Sequence, residues 1–367
     1  MKKNALLELY RFIAAITILL LHVWQDVTTV PGIWFYKNNW RLGVEFFFAL
    51  SGFLLYLHCR RKKNESSVAY LLGKVRFFFP YVLVMFLLNG LREVIINQYN
   101  FFDYMLPRSH YLLFYTNETY RVATGIPGMG VLWYVCALLA ASFVIHYMLN
   151  HHEKLWRELL AVVMVVVGYT VVIRLNKNLT TPEDWNIGGV KIFVPTRFFR
   201  AMAGISLGTL LGMAYEKASA VKYTNSGKIC GTIASMVMFT GAVVFSFLPT
   251  DKAFSSGSWK VLWVVLMYGM AILLAAVFAG DFPKGKKTRG LLCFLGKYSL
   301  HIYLTHTCII YLMWYFYDRT IWKKEFMLMT VAGTAVLCVV LELAVRGIRK
   351  GTGAVCGFLR NKCIVKE

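Results

Sequence analysis

Long apolar runs punctuate this chain from end to end, and about 20 apolar residues is the length a helix needs to cross a bilayer. The runs fall at about 6–24, 42–59, 77–96, 130–149, 158–174, 198–215, 229–248, 259–279, 294–316 and 326–346. Lipid offers no hydrogen-bond partner to backbone groups, so such segments must be helices. The expected fold is therefore all-α: a polytopic membrane protein of about ten transmembrane helices, one membrane domain over residues 1–367 with no soluble domain. The composition agrees, with 58% hydrophobic and only 16% charged residues, where soluble proteins carry about 25% charged. The N-terminal Met-Lys-Lys and apolar run resemble a signal peptide, but Arg11 interrupts the run and no small-residue cleavage site follows. An uncleaved first helix is expected.

The net charge of +22 would suggest a nucleic-acid partner in a soluble protein. Here the cations cluster beside apolar segments, where they set orientation, so no nucleic acid is expected. An even number of spans puts both termini on one side. If that side is the cytoplasm, 24 of the 40 Lys and Arg residues fall on it. The positive-inside rule then predicts cytoplasmic termini. The eight cysteines show no metal-like spacing and are expected to be small buried hydrophobes. The longest outer loops, about 97–129 and 175–197, are rich in aromatics such as Tyr99, Tyr104, Tyr111, Tyr120 and Trp185. Sugar stacking and interfacial anchoring both fit them.

The first apolar segment carries Arg11 and His22 inside it. A charge within a membrane helix is costly and marks a functional site by default. Eleven helical residues bring the two side chains to within about 20° of one face, roughly 16 Å apart along the axis. Glu8, three residues before Arg11, lies near the same face and offers the arginine a structural partner. An arginine toward the cytoplasmic end suits a phosphate or carboxylate, and a histidine is suited to general-base work.

Four further constellations accompany this pair. Glu45, at the outer mouth of the second helix, lies at the level of His22 and can orient its imidazole. Ser51 and Gly52, nearly two turns further on, allow close helix approach. The inner loop Arg60-Arg61-Lys62-Lys63, continued by Lys74 and Arg76, is a basic patch that fits a phosphorylated carrier or anionic lipid. Arg197 and Arg200 open a helix whose Gly204, Gly208 and Gly212 repeat every fourth residue. That spacing makes a close-packed face with two arginines at its outer end, able to hold an anionic or hydroxyl-rich acceptor. Late in the chain, Ser299, Tyr303 and His306 share one helical face, either as a second proton-handling stripe or as inter-helix hydrogen bonds; His301 points away from it.

Taken together, these residues resemble the acyltransferase-3 family of integral membrane acyltransferases over nearly the whole chain. The most specific match is Arg-x10-His in the first helix, Arg11 and His22, with Glu8 before the arginine. Gly43-Val44-Glu45-Phe46-Phe47-Phe48-Ala49-Leu50-Ser51-Gly52-Phe53 resembles the family's Gly-Val-acid-x-Phe-Phe-x-x-Ser-Gly-Phe element. Ser299 to His306 resembles its Ser-x-x-x-Tyr-Leu-x-His element, and Leu132-Trp133-Tyr134-Val135 sits where a Leu-Trp-x-Leu sequence is common. Two positions depart from the pattern. Phe77 stands three residues before Pro80 where an arginine is frequent, with Arg76 and Lys74 earlier, and Leu138 stands where many members have glutamate.

The resemblance implies transfer of an acyl group, usually acetyl, from cytoplasmic acyl-CoA to a hydroxyl on the outer side. The acceptor would be a cell-surface glycan, glycolipid or lipid-linked sugar, the home a bacterial inner membrane, and the other partners membrane lipids. Acetyl-CoA is the expected donor, with no metal. Arg11, Lys74 and Arg76 would handle the donor. His22 would deprotonate the acceptor or carry the acyl group transiently, with Glu45 orienting it. Glu8, Ser51, Arg197, Arg200, Ser299, Tyr303 and His306 would line the cavity. Succinyl or longer-acyl transfer uses the same residues. A transporter or lipid flippase is the rival from another class, although no inverted repeat supports it.

Overall fold

The computed structural model describes residues 3–27, 42–116, 125–175, 184–187, 190–193, 195–247, 257–317 and 323–364. The principal helices are α1 (Ala5–Val27), α2 (Gly43–Arg61), α3 (Ser67–Asn97), α4 (Leu132–His151), α5 (Ala161–Leu175) and α6 (Thr196–Ala218). They continue as α7 (Asn225–Phe247), α8 (Gly257–Phe278), α9 (Lys286–Lys297), α10 (Ser299–Phe316) and α11 (Lys323–Ile364). Among the described residues eight helices are long and apolar enough to cross a membrane, so the chain is an all-α, multi-pass membrane protein. The second and ninth expected spans are helical too, as α2 and α10, but are not among the eight. Those two carry Glu45, Ser51, His301, Thr305 and His306.

Three boundaries differ from the sequence expectation. Helix α3 begins at Ser67, ten residues before the apolar run, because the Ser66 hydroxyl caps it by accepting from Ala69 N at 3.1 Å. Nothing between Ser67 and Pro80 breaks a helix, so Lys74 and Arg76 stand on helix rather than loop. The ninth run is interrupted at Tyr298, where α9 ends and α10 begins. The last helix extends well past the apolar run. The long outer loops also hold some structure. A short helix, Phe101–Met105, capped by Asn100, runs into a 3-10 turn, Leu106–Leu113. A small antiparallel hairpin pairs Asp184–Ile187 with Val190–Phe193. Tyr120 lies outside the described residues.

Helix α2 runs through the interior, with Phe46, Phe48 and Phe53 fully buried. It packs on α6 at backbone distance. A Cβ on Gly52 would stand 1.9 Å from the Ile205 carbonyl oxygen, and one on Gly208 would stand 2.0 Å from that of Ala49. The repeating glycines of α6 are therefore a helix–helix seam, as their spacing predicts. Helix α1 is tied to α7 and α8. Tyr10 stacks on Phe239 with centroids 4.0 Å apart and its hydroxyl lies 3.0 Å from Ser235 Oγ; Asn4 donates to the Ala275 carbonyl at 2.8 Å. Outer helices expose large apolar side chains, among them Val237, Leu328, Val336 and Leu343, which suits surfaces that face lipid. Of the six described cysteines, Cys59, Cys136, Cys308 and Cys338 are buried, while Cys293 is half-buried and Cys230 exposed.

Candidate functional site

Helices α1 and α10 run alongside each other in the same direction. At one end Gly296, just before α10, lies so close to Glu8 that a Cβ there would meet its Oε2 at 2.3 Å and its backbone oxygen at 2.7 Å. Arg11 Nη1 donates to Glu8 Oε2 at 3.0 Å and to Oε1 at 3.3 Å. The arginine keeps about a third of its side-chain surface exposed, at 32%, so it remains reachable. At the other end the rings of His22 and His306 meet, with centroids 5.0 Å apart and planes tilted by 37°.

His306 is fully buried, with Nδ1 3.0 Å from the Ile302 carbonyl oxygen. A carbonyl only accepts, so Nδ1 carries the proton and Nε2 of the neutral ring holds a lone pair. That Nε2 is buried with no hydrogen-bond partner among the described residues. A line of polar aromatic groups leads away from this pair. Tyr303 lies 6.0 Å from His306 between centroids, Tyr134 lies 5.3 Å from Tyr303, and the Tyr134 hydroxyl lies 3.5 Å from Ser51 Oγ. Tyr303 donates its hydroxyl to the Val131 carbonyl at 2.9 Å, which fastens α10 to the start of α4.

Glu45 takes a different position from the one expected of it. Tyr169 donates to its Oε2 at 2.6 Å, and Arg200 Nε donates to its Oε1. Both members of this ion pair are 1% exposed. Glu45 thus joins α2 to α5 and α6, and the described ring partner of His22 is His306. Arg197 and Arg200 both lie against the Trp133 ring, at 5.2 and 5.4 Å from its centroid. The tryptophan that follows Leu132 is therefore a platform for the two cations of α6.

The remaining expected residues are more scattered. Ser299 donates to the Gly296 carbonyl at 2.8 Å and closes the break between α9 and α10. Lys74 and Arg76 are exposed on α3, with Lys74 Nζ 5.4 Å from the Tyr70 ring. Among the described residues no contact joins either to Arg11. The basic run that ends α2 and continues past it is partly engaged in ion pairs: Arg60 with Glu216 at 2.9 Å and Glu153 at 3.3 Å, and Lys62 with Glu65 at 3.1 Å.

Two groups escaped the sequence reading. Glu342 of α11 accepts from His301 Nε2 at 2.9 Å, from Arg346 Nε at 2.6 Å and from Lys297. His301, on the face of α10 opposite the His306 stripe, is 1% exposed. A carboxylate inside the last apolar run was a signal in its own right. Arg92 of α3 is nearly buried and donates to the Cys308 carbonyl at 3.1 Å, to Pro127 O at 2.7 Å and to Asn89 Oδ1 at 3.1 Å. Thr307 also donates to Gly128 O, at 2.7 Å. Together they clasp the Pro127–Val131 segment onto α10 beside His306. A set of side chains able to hold a metal lies elsewhere, at the other end of α2.

The arrangement offers a reachable cation at one end of α1, a pair of imidazoles at the other, and a buried polar line between helices. A family model described as an acyltransferase domain matches residues 4–345. No curated protein and no solved structure matches.

Proposed function

The chain belongs to the acyltransferase-3 family and is a membrane acyltransferase; from that premise we propose that it moves an acetyl group from cytoplasmic acetyl-CoA to a hydroxyl of an extracytoplasmic glycan or glycolipid. The observation that carries this reading is the meeting of His22 and His306 beyond Arg11 on the same helix face. Arg11, held by Glu8 and still partly exposed, is the cation for the donor's phosphates or thioester region, with Lys74 and Arg76 as outlying cations of the same sign. His22 is the base. It takes the proton of the acceptor hydroxyl as the oxygen attacks the thioester carbonyl, and returns it to the departing CoA thiolate. Such proton transfer contributes about 10²–10⁴-fold in rate.

His306 assists through its Nε2 lone pair, which can accept a proton or a hydrogen bond from the His22 imidazolium. Glu45 acts as a positioning residue: with Arg200 and Tyr169 it fixes α2 against α5 and α6. Ser51, Tyr303, Arg197 and Trp133 line the acceptor side. The cation count around the inner loops supports cytoplasmic termini; a bacterial plasma membrane as the setting rests on the family resemblance alone.

The test is acetyl transfer by the purified protein in nanodiscs, with radiolabelled acetyl-CoA and cell-envelope glycans as acceptors. Wild type should release CoA and label glycan, and His22→Ala should do neither while inserting and folding normally. Full transfer by His22→Ala sinks the assignment of the base. Release only from a longer acyl-CoA would replace acetyl with that group. Tags at both termini should be reached only from the cytoplasmic face; labelling from outside overturns the orientation.

A further inference from the structure

A second cluster of ligating side chains stands apart from these groups, at the end of α2 remote from Glu45. From Glu45 to His58 the helix rises about 20 Å. One ring nitrogen of His58, one of His146 and a carboxylate oxygen of Glu65 lie within 4.8 Å of one another. His58 is in the last turn of α2, Glu65 is in the loop that follows, and His146 is inside α4. Glu65 pairs with His58 through Oε2 and with Lys62 through Oε1, and Lys62 is mostly exposed.

His146 is the informative member. It is fully buried, and the Tyr70 ring stacks on it with centroids 4.4 Å apart and planes within 14°. Its Nδ1 is engaged by Ser67 Oγ at 2.9 Å and by Asn150 Nδ2 at 3.3 Å. Its Nε2 has no hydrogen-bond partner among the described residues. Asn150 also donates to the Glu65 carbonyl at 2.9 Å, so the same amide holds the loop and the ring in register. A simple His58–Glu65 ion pair would account for two of the three residues and leave this anchored imidazole unexplained. An imidazole oriented through one nitrogen and bare at the other is the arrangement metal-bound histidines show.

We propose that His58, Glu65 and His146 form a binding site for a divalent transition metal, zinc by its donor set, which pins the end of α2 and the start of α3 to α4. Two imidazoles and one carboxylate are a common zinc set, leaving a fourth position for water. Ligands at about 2.0–2.2 Å from zinc stand roughly 3.4 Å from one another, so small side-chain adjustments bring the three into place. A proton on Nδ1 donated to Ser67 Oγ leaves the Nε2 lone pair for the metal, so Ser67 is the outer partner that orients the ring, while Asn150 holds the Glu65 loop beside it. The role is a staple between helices, separate from acyl transfer.

The experiment uses the full chain in detergent, purified without a polyhistidine tag, stripped with EDTA and titrated with Zn²⁺. Binding of one Zn²⁺ per chain is expected, with a rise in Tm as the metal is added. His58→Ala and Glu65→Gln should each weaken binding by about tenfold or more, the scale on which even outer-shell partners act. His22→Ala combined with His306→Ala should bind Zn²⁺ like wild type, since that pair is another place where two imidazoles meet. His146 is buried and its removal can unfold α4, so Co²⁺ substitution in the unmutated protein gives a second readout. Strong visible absorption of a four- or five-coordinate site is expected, absent in His58→Ala. Absence of saturable Zn²⁺ binding overturns the proposal, as does binding unchanged in the His58→Ala, Glu65→Gln double variant. Loss of binding in the His22, His306 variant overturns it as well.

Discussion

His22 of α1 and His306 of α10 face each other with ring centroids 5.0 Å apart, although they come from opposite ends of the chain. One is partly accessible and the other fully buried; on the proposed mechanism His306 would be the acceptor behind a proton collected at His22. If the two work as a unit, their effects on rate do not add. His306→Ala should lower kcat by about 10²-fold, and adding it to His22→Ala should cost nothing further. Independent, multiplying effects in initial-rate measurements would separate the two residues.

The Glu45–Arg200 pair is buried on both sides. Removing one member of such a pair leaves the other charge uncompensated, at a cost of about 3–5 kcal/mol. Glu45→Gln and Arg200→Met should each lower the unfolding temperature in detergent, and the double variant should recover part of the loss. A Glu45→Gln protein as stable as wild type would mean that this carboxylate does not hold α2 in place.

The seam between α2 and α6 leaves no room for a methyl group. Gly208→Ala would place Cβ 2.0 Å from the Ala49 carbonyl oxygen, and the helices must separate to admit it. The loss should reach or exceed the ~1–3 kcal/mol of ordinary overpacking. Gly290, in α9, meets nothing within 4 Å; Gly290→Ala should be neutral or stabilise by up to about 1 kcal/mol through helix propensity. Thermal unfolding of the two variants side by side checks the contrast.

Gly296 tests the donor end without touching either charge there. Gly296→Ala pushes a Cβ into the Glu8 carboxylate and backbone, which displaces the group that orients Arg11. The KM for acetyl-CoA should rise several-fold while kcat falls less, in the same direction as Arg11→Ala. A change confined to the acceptor's KM would assign Arg11 and Glu8 to the other substrate.

Much of the molecule was legible along the chain because its signals are local. Apolar length gave membrane helices, the period of a helix put Arg11 and His22 on one face, and the four-residue glycine repeat announced a close-packed face on α6, whose partner α2 the structure supplied. Lys74 and Arg76 were harder, because an N-cap at Ser66 converts a polar loop into exposed helix. Glu342 and Arg92 were visible as charges within apolar runs, but their partners were not. His301 lies across from Glu342 only because α10 and α11 happen to adjoin along that face.

The sequence by itself determined the membrane fold, the family and the residues that stand out chemically, since hydropathy, periodicity and ordered motifs are all properties of neighbours in the chain. Only the tertiary structure decided who meets whom: His22 with His306, Glu45 with Arg200 and Tyr169, His58 with Glu65 and His146. Those meetings depend on how helices cross and rotate against one another, and that geometry is set by packing along their whole length. No single residue or spacing records it.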